Sequence, residues 1–478
     1  MPAPPTVLIT FRYGFAARNV LRTGTFRGLR EAGCRVVIIC PAAHEAYLNE
    51  ELAGTDVVLE GYPGSRVGRG ETVYAAVADA LLFDHPGTTE TMTIKCRHLL
   101  AEGKPVPFTA KALLAIPRLH RSRWLRARAE HVDRSRFSHP EVGAVLDRHR
   151  PDLIVTTDLF GSEAQFVREA HRRGIRSVCL VKSWDNLTSK GRIRVHPDFI
   201  VVWSDLQRQE AQTLHFFPTE RIAVSGAPNF DIFKAGGYPW LPRAEFMRSI
   251  GANPDSRLIV YSPGYKLTHS DHENILRIHR LLHTGNLPFR CHLHVRKYPK
   301  SPQDFSDLLH LPDLTVEDAG IVVTSWDDRV DQPRAEMVHL AQLMRHIDVL
   351  IQIGSTIAVD AACFDRPVIG YFLDAQSPQV SPHHLARRVF AMTHNRYLVD
   401  LGGVWVVRTE AELAMALRTY LTTPELHREG RRRIVERICG IFDGRAGDRI
   451  AEFLLRCLGE AAPPGRPHPS VSSPAISS

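Results

Sequence analysis

The chain has 478 residues, of which 44% are hydrophobic and 23% charged, and its formal net charge is +8 with 24 histidines. This length exceeds one ordinary hydrophobic core and predicts two domains of roughly 200 residues each. No apolar run approaches the ~20 residues of a bilayer-spanning helix, and the N-terminal residues lack the basic segment expected of a signal peptide. The positive charge permits phosphate-rich ligands, nucleic acid or an anionic membrane, and does not choose among them.

The cysteines indicate a reducing compartment. All eight are scattered along the chain, and none forms a Cys-x-x-Cys pair. Cys40, Cys179 and Cys291 fall inside apparent buried strands. We therefore expect reduced cysteines and a cytoplasmic protein.

The N-terminal segment predicts the start of a doubly wound α/β sheet. Residues 7–10 and 35–40 are predicted strands, joined by a loop and a helix that runs through Leu29. The loop lacks the GxGxxG fingerprint of dinucleotide binding. Because ligands bind at the carboxyl ends of strands in such sheets, the candidate cleft residues here are Arg12, Arg18 and Asn19.

The alternation of strands and helices stops over residues 64–140, where we predict a basic helical insertion. Within it, residues 111–136 carry seven arginines against Glu130 and Asp133, with Trp124 and several leucines interleaved. Such a helix is typical of a peripheral contact with an anionic membrane or of a surface for an anionic acceptor. The alternative is a solvated helical face that packs on the N-terminal domain.

Two later predicted strands end in polar residues that we expect to face a cleft. The strand at 152–156 runs into Thr157 and Asp158, and the strand at 176–181 runs into SWDNLTSKG at 183–191. Loops are often rich in Asp, Asn and Ser for turn reasons alone, but a tryptophan is unusual in one. This stretch is the strongest functional signal of the N-terminal half. Its candidate site residues are Ser183, Trp184, Asp185, Asn186 and Lys190.

The second half offers basic groups for a diphosphate. A predicted strand at 257–261 leads to Gly264 and Lys266, and the next strand ends at Arg296 and Lys297. A glycine turn and basic side chains after a strand suit phosphate oxygens.

Residues 344–374 predict a buried strand, a turn, a short helix and a second buried strand. The turn is Gly354-Ser355-Thr356, whose N–H and hydroxyl groups favour an anion together with the helix dipole. Asp360 follows one turn later, where a carboxylate suits the hydroxyl pair of a sugar or ribose. The alternative is that Ser355 only caps the helix and Asp360 is solvated.

The order of these motifs resembles glycosyltransferases of the GT-B architecture, including bacterial surface and capsular polysaccharide transferases. It also resembles CDP-glycerol glycerophosphotransferases and UDP-GlcNAc 2-epimerases. The resemblance is carried by residues 183–191, 225–231, 353–368 and 442–450. Two positions depart from the pattern of these relatives, since Tyr298 replaces a histidine and Asp360 replaces the more usual glutamate.

The resemblance implies an α/β fold of two Rossmann-like, doubly wound domains that face a cleft, with a C-terminal helix that crosses back. The implied segments are an N-terminal acceptor domain at 1–235, a linker at 236–256, a nucleotide-sugar donor domain at 257–440, a crossover helix at 441–460 and a disordered tail at 461–478.

The resemblance also implies a glycosyltransferase that moves a sugar, or glycerol phosphate, from a nucleoside-diphosphate donor to an acceptor hydroxyl in surface polysaccharide or glycoconjugate synthesis. Asp185, and after it Asp158, are the candidate bases that an inverting enzyme needs. The implied partners are a nucleotide-sugar donor and a carbohydrate or lipid-linked acceptor, with no nucleic acid. We expect no cofactor and, in the absence of a DxD triad, no metal. A contact through 111–136 would place the protein at the inner membrane face.

Two other functions stay open. A non-hydrolysing sugar-nucleotide 2-epimerase would share the fold but needs no second substrate, and the basic insertion argues against it. A catalytically inactive GT-B-shaped binding protein would explain Tyr298 and Asp360 as signs of decay. The intact Ser355-Thr356 turn and the SWDN sequence argue against that reading.

Overall fold

The computed structural model describes residues 3–64, 67–82, 122–234, 236, 238–264, 271–284, 287–298, 303–372, 389–390 and 392–459. Lys266, residues 83–121 of the predicted insertion and the predicted tail at 461–478 lie outside the described residues.

The first sheet has seven parallel strands in the order β3-β2-β1-β4-β5-β6-β7. Most of these strands are short, buried runs of Val, Ile and Leu, as expected where helices cover both faces of a sheet. The strands are β1 (Thr6–Thr10), β2 (Arg35–Cys40), β3 (Val58–Gly61), β4 (Leu153–Thr156), β5 (Arg176–Leu180), β6 (Phe199–Val202) and β7 (Ile222–Val224).

The second sheet has six parallel strands in the order β10-β9-β8-β13-β14-β15. A two-stranded antiparallel hairpin, β11 with β12, lies outside it. The strands are β8 (Arg257–Ser262), β9 (Cys291–Arg296), β10 (Leu314–Glu317), β11 (Ile321–Val322), β12 (Val330–Asp331), β13 (Val349–Gln352), β14 (Val368–Tyr371) and β15 (Val404–Val407).

Helices connect the strands of both sheets. The α-helices are α1 (Gly14–Leu21), α2 (Gly24–Glu31), α3 (Ala46–Glu51), α4 (Arg69–Leu82), α5 (Arg123–Arg136), α6 (Pro140–His149), α7 (Ala164–Arg172), α8 (Asn186–Ser189), α9 (Asp205–His215), α10 (Arg243–Ser249), α11 (Asp271–Thr284), α12 (Arg334–His346), α13 (Ile357–Cys363), α14 (Thr393–Asp400), α15 (Glu410–Thr422), α16 (Arg428–Ile434) and α17 (Ala446–Gly459). Single 3-10 segments occupy Thr219–Arg221, Pro228–Phe233 and Ser306–Leu308, and a π turn occupies Val435–Cys439. In the described part of the chain, no helix has the length and apolar character to cross a membrane.

Both sheets reverse their strand order at an internal point. In the first sheet β1 lies between β2 and β4, and in the second β8 lies between β9 and β13. Ligands of open parallel sheets bind at the carboxyl ends of the strands beside such a point. The topology therefore marks the loops after β1, β4, β8 and β13 as the edges of a site, and it confirms the predicted doubly wound fold.

The helix predicted to run through Leu29 is in fact two helices, α1 and α2. The chain breaks at Arg22, whose guanidinium forms ion pairs at 2.7 Å with Asp331 and with Glu51. Thr23 then starts α2, because its Oγ1 accepts a hydrogen bond of 3.3 Å from the N–H of Thr25. The single-helix prediction was wrong because the break depends on a partner some 300 residues away.

A segment of the C-terminal half enters the core of the first domain. We call residues 323–332 the clasp. Its Trp326 is 1% exposed and lies against the Phe11 ring at 5.8 Å between centroids. The Trp326 indole N–H donates to the Tyr47 hydroxyl at 2.8 Å. The clasp thus fixes the two sheets relative to each other.

The C-terminal helix α17 packs back on the first domain, as predicted. Asp231 accepts hydrogen bonds from the N–H groups of Ala446 at 2.9 Å and Gly447 at 2.7 Å, which satisfies the start of α17. Helix α17 then lies directly against α2. Where the two meet, a Cβ on Gly447 would lie 2.5 Å from the backbone nitrogen of Gly24.

We therefore predict that Gly447→Ala destabilises the protein by about 1–3 kcal/mol, because the added methyl forces two backbones apart. Gly459→Ala in the same helix is the matched control, since its Cβ would meet no atom within 4 Å. Thermal unfolding of both variants checks this. Equal melting temperatures for Gly447→Ala and the wild type would contradict the close helix contact.

Candidate active site

A cavity of about 610 Å³ lies between the carboxyl edges of the two sheets. Loops that follow strands of both sheets form its wall. The sequence-predicted site residues that line it are Arg18, Asp158, Ser183, Trp184, Asp185, Asn186, Lys190, Arg296, Lys297, Gly354, Ser355, Thr356 and Asp360. Stretches up to about 340 residues apart in sequence therefore meet in one place.

Three predicted site residues lie behind this wall. Arg12 forms an ion pair with Asp327 at 2.7 Å and hydrogen bonds to Ser162. The Asn19 side chain donates to the Lys182 carbonyl at 3.1 Å and so supports the loop after β5. The Gly264 N–H donates to Asp271 Oδ1 at 3.1 Å.

The SWDN loop presents a carboxylate to the cavity. Trp184 is 4% exposed and meets the His394 ring edge-on at 5.6 Å, which anchors the loop. Asp185 accepts hydrogen bonds from the Ser183 hydroxyl and, at 2.8 Å, from Ser189. Burial by itself raises the pKa of Asp185, but the charges of His394 and Lys190 and these hydrogen bonds hold it below its usual value. Asp185 is therefore ionised at neutral pH.

Asp158 forms an ion pair with a lysine. Its Oδ2 lies 2.8 Å from the Lys182 ammonium, and its Oδ1 accepts the Phe160 N–H at 2.9 Å. Burial opposes ionisation, but the Lys182 charge and hydrogen bond lower the pKa of Asp158 below its ordinary value. Both carboxylate oxygens thus already have protein partners.

A neutral carboxyl group lies beneath this loop. Glu163 is 0% exposed and accepts the N–H groups of Thr157 at 2.6 Å and Asp158 at 3.2 Å. Burial, and after it the Asp158 charge, raises the pKa of Glu163 to about 8. Glu163 therefore fixes the backbone of the Asp158 loop without adding a negative charge at neutral pH.

The turn before α13 forms the opposite wall. Gly354 has φ +58°, and a Cβ there would lie 2.2 Å from Val389 Cγ1, so the position requires glycine. The Ser355 N–H donates to Gln352 Oε1 at 2.6 Å, and the Ser355 Oγ accepts the Ile357 N–H at 3.5 Å. Thr356 is exposed at the cavity wall. The turn retains the hydroxyl groups predicted for donor binding, although one of its N–H groups is used internally.

Asp360 lies one turn further along α13, in the cavity wall and 9% exposed. Burial raises the pKa of Asp360 to about 6, although the charges of Arg18 and Arg296 oppose this. Arg18 belongs to the first domain and Arg296 to the second, so positive charges from both sides of the cleft act on the Asp360 carboxylate.

Two of the three basic residues predicted to bind a diphosphate, Arg296 and Lys297, have carboxylate partners in the protein. Arg296 is paired with Glu317 and Glu336. The Lys297 ammonium lies 2.6 Å from Asp318 Oδ1. Their positive charges are therefore largely balanced before any ligand is considered.

Sequence reasoning missed several residues of the wall. Lys182 immediately precedes the SWDN loop, so its place in the motif is the signal that could have found it. His394, at the start of α14, had no such signal. The other missed wall residues used below are Phe15, Asp328 and Gln332.

We predict that Glu163→Gln changes how stability depends on pH. Glu163 keeps its proton in the folded state up to about pH 8 but loses it near pH 4.5 when unfolded. The folded state then binds more protons, so the free energy of unfolding of the wild type falls as the pH rises through this window. Gln cannot ionise and lacks this contribution.

Urea unfolding at pH 5 and pH 8 measures the effect, and the Gln variant should lose less stability between the two. Glu220→Gln, at an exposed carboxylate, is the control and should match the wild type. Identical pH slopes for Glu163→Gln and wild type would contradict the assignment.

Comparison with solved structures supports the fold assignment. A UDP-GlcNAc 2-epimerase from Neisseria meningitidis, bound to UDP-GlcNAc, aligns with TM-score 0.50 at 11% identity over 95% of this chain and 100% of its own. A putative UDP-N-acetylglucosamine 2-epimerase from Listeria monocytogenes aligns with TM-score 0.54 at 11% identity over 96% and 99%. CalG4, the calicheamicin glycosyltransferase, aligns with TM-score 0.51 at 15% identity over 97% and 100%. At these identities the likeness concerns the fold alone, and that fold is GT-B.

Sequence comparison identifies the family. No curated protein sequence matches the chain. The family model described as CDP-glycerol:poly(glycerophosphate) glycerophosphotransferase matches residues 182–456, which is more than half of the chain. The match begins at Lys182, beside the SWDN loop, and includes the turn before α13. The chain therefore belongs to the CDP-glycerol:poly(glycerophosphate) glycerophosphotransferase family.

Proposed function

We propose that this transferase moves glycerol phosphate from a nucleoside-diphosphate-activated donor, of which CDP-glycerol is the family's example, to an acceptor hydroxyl in surface polysaccharide or glycoconjugate synthesis. The observation that carries the proposal is the shared cavity. It places an ionised carboxylate of the first domain, Asp185, in the same space as the hydroxyl-bearing turn at 354–356 of the second.

In this proposal the second domain holds the donor. The Ser355 and Thr356 hydroxyls bind phosphate oxygens, and Asp360 accepts from the ribose hydroxyls. A carboxylate with a pKa of about 6 is ionised at neutral pH and suits that acceptor role.

The first domain presents the acceptor. Asp185 is the proposed base, because it is ionised and lines the cavity. Polar side chains of the same cavity wall can orient a hydroxyl beside it. Asp158 is the second choice, since it is more deeply buried than Asp185 and forms an ion pair with Lys182. Ser183, Trp184, Asn186 and Lys190 form the remaining acceptor-side wall.

We propose that transfer needs no metal ion. Two basic side chains of the cavity wall, Arg18 and Lys190, form no ion pair with a carboxylate of the described residues. Preorganised cations of this kind stabilise charge that develops on phosphate oxygens. The activated donor is then the sole cosubstrate, with no separate cofactor.

A sugar donor is distinguished from glycerol phosphate by the nucleotide that leaves. Attack of the acceptor hydroxyl on the β-phosphorus breaks the bond to the bridging oxygen and releases a nucleoside monophosphate. Attack on an anomeric carbon releases the diphosphate. A sugar-nucleotide 2-epimerase would release neither the monophosphate nor the diphosphate, because the sugar stays attached to its nucleotide. The family match argues against that activity.

We predict that the enzyme, given CDP-glycerol and a hydroxyl acceptor, releases CMP and that Asp185→Asn lowers turnover by about 10²–10⁴-fold through loss of the base. Product nucleotides are separated by ion-exchange chromatography, with thermal unfolding as the check of folding. Asp147→Asn, at a side chain that is 64% exposed on α6, is the matched control and should keep wild-type turnover.

Near-normal turnover of a folded Asp185→Asn variant would exclude Asp185 as the base. Release of CDP in place of CMP would exclude glycerol phosphate as the transferred group.

Helix α5 supplies the basic surface that we propose contacts an anionic membrane. Its inner face is buried at Ala129 and Asp133, so part of the helix packs on the first domain. Its outer face leaves Trp124 68% exposed, with the Arg128 guanidinium 6.0 Å from the indole ring. An exposed tryptophan beside arginines suits the membrane interface and would bring a lipid-linked acceptor near the cleft.

We predict that Trp124→Ala combined with Arg128→Gln weakens binding to vesicles that contain anionic lipid. Loss of one arginine alone contributes about 1 kcal/mol, or roughly fivefold, and the tryptophan adds to it. Vesicle co-sedimentation at two salt concentrations measures this. Arg148→Gln on α6 is the control, at a side chain that is 59% exposed. Equal sedimentation of the double variant and wild type would contradict the membrane contact.

A further inference from the structure

The cations of the cavity wall differ in what already balances their charge. Lys182 lies 2.8 Å from Asp158, and Lys297 lies 2.6 Å from Asp318. Arg296 is paired with two glutamates. Buried charges in proteins are normally paired in this way.

Arg18 is different. Within the described part of the chain, its hydrogen bonds go to two neutral amides. Its Nε donates to Asn19 Oδ1 at 3.2 Å, and its Nη1 donates to Gln332 Oε1. No carboxylate of the described residues lies within ion-pair distance of it.

The Arg18 guanidinium is nevertheless held in a defined position. Its Cζ lies 5.4 Å from the centre of the Phe15 ring. The hydrogen bonds from Nε to Asn19 and from Nη1 to Gln332 fix its orientation. Gln332 comes from the clasp of the C-terminal half, so both halves of the chain orient this one cation. A fixed arginine fork matches phosphate oxygens, and Nη2 has no hydrogen-bond partner among the described residues.

The Arg18 side chain keeps its positive charge although it is partly buried. Burial lowers the pKa of Arg18 to about 10, with Asp360 the strongest opposing charge, so the side chain remains a cation at neutral pH. The groups that face it are Asp360 from α13, Asp328 and Asp331 from the clasp and Arg22 at the end of α1. Asp331 is paired with Arg22. Asp360 and Asp328 support the positive charge of Arg18, but neither forms an ion pair with it among the described residues, so they do not occupy its N–H donors.

We propose that Arg18 binds the β-phosphate of the donor, which is the phosphate to be transferred, and that Gln332 positions its guanidinium. Arg18 lies on the first domain, on the same side as Asp185, whereas the proposed ribose contact Asp360 lies on the second. The β-phosphate is the one that the acceptor hydroxyl attacks, so a phosphate contact on the same domain as the proposed base is assigned to it. This assignment rests on the proposed function, and it moves the main phosphate contact away from Arg296 and Lys297.

Calorimetric titration of the full-length protein with CDP and with CMP tests the assignment. Wild type should bind CDP more tightly than CMP. Arg18→Gln should weaken CDP binding by roughly 10–100-fold, the effect of losing a hydrogen bond to a charged group, and should change CMP binding by less than about threefold. Arg18→Lys keeps the charge without the fork and should lie between them. Arg27→Gln, at an exposed side chain of α2, is the control.

The outcomes separate the two claims. If wild type binds neither nucleotide, the proposed donor and the Arg18 assignment both fail. If wild type prefers CDP and the folded Arg18 variants keep that preference, the β-phosphate contact is overturned while the proposed function stands. Equal losses for CDP and CMP in both Arg18 variants would likewise overturn the contact, because they indicate a general effect on the site.

Discussion

The ion pair between Arg22 and Asp331 is the interaction on which the cavity depends. Its side chains are 1% and 0% exposed, and Asp331 also accepts the Tyr47 hydroxyl at 2.8 Å. A buried charge without its partner is strongly destabilising, so the pair forms only when the clasp is seated against the first domain. Close by, the Gly14 N–H donates to Asp328 Oδ1 at 3.0 Å. The loop after β1 and the clasp are therefore placed as one unit.

A second contact, between the C-terminal helix α17 and the first domain, also positions the two halves of the chain. Asp231, just after β7, holds the first two N–H groups of α17, and glycines let α17 approach α2 closely. Burial raises the pKa of Asp231 to about 6, although the two N–H donors oppose this. Together with the clasp, this contact of α17 determines which loops of the two sheets share a cavity. The function proposed above needs that shared space, because donor and acceptor groups come from different domains.

Much of this was predictable from local patterns. Short apolar runs located the main strands, and the polar residues after them located the cavity wall, because carboxyl ends of parallel strands share one edge. The Gly354 turn was recognisable because its glycine and hydroxyl residues precede a helix. These features depend on residues near one another in sequence, as secondary structure and turn chemistry do.

What could not be predicted depends on distant partners. The break after α1 follows from the pairing of Arg22 with Asp331. The charge available to a phosphate depends on which carboxylates reach Arg296, and Glu317 and Glu336 come from other elements. The raised pKa of Glu163 follows from complete burial, which its sequence neighbours do not reveal. The ion pairs and pKa values of the cavity wall were thus harder to foresee than which residues line the cavity.

A thermal-shift panel with CDP, UDP, GDP, dTDP and ADP measures whether the cavity binds a nucleoside-diphosphate donor, and whether it does so without metal. A ligand at 100 times its dissociation constant adds about 2.7 kcal/mol to stability, which gives a readable shift. We predict that CDP stabilises the protein, that EDTA leaves the shift unchanged, and that combining Ser355→Ala with Thr356→Ala abolishes it. Stabilisation by none of the five nucleotides would contradict the account, and a shift lost on adding EDTA would contradict metal independence.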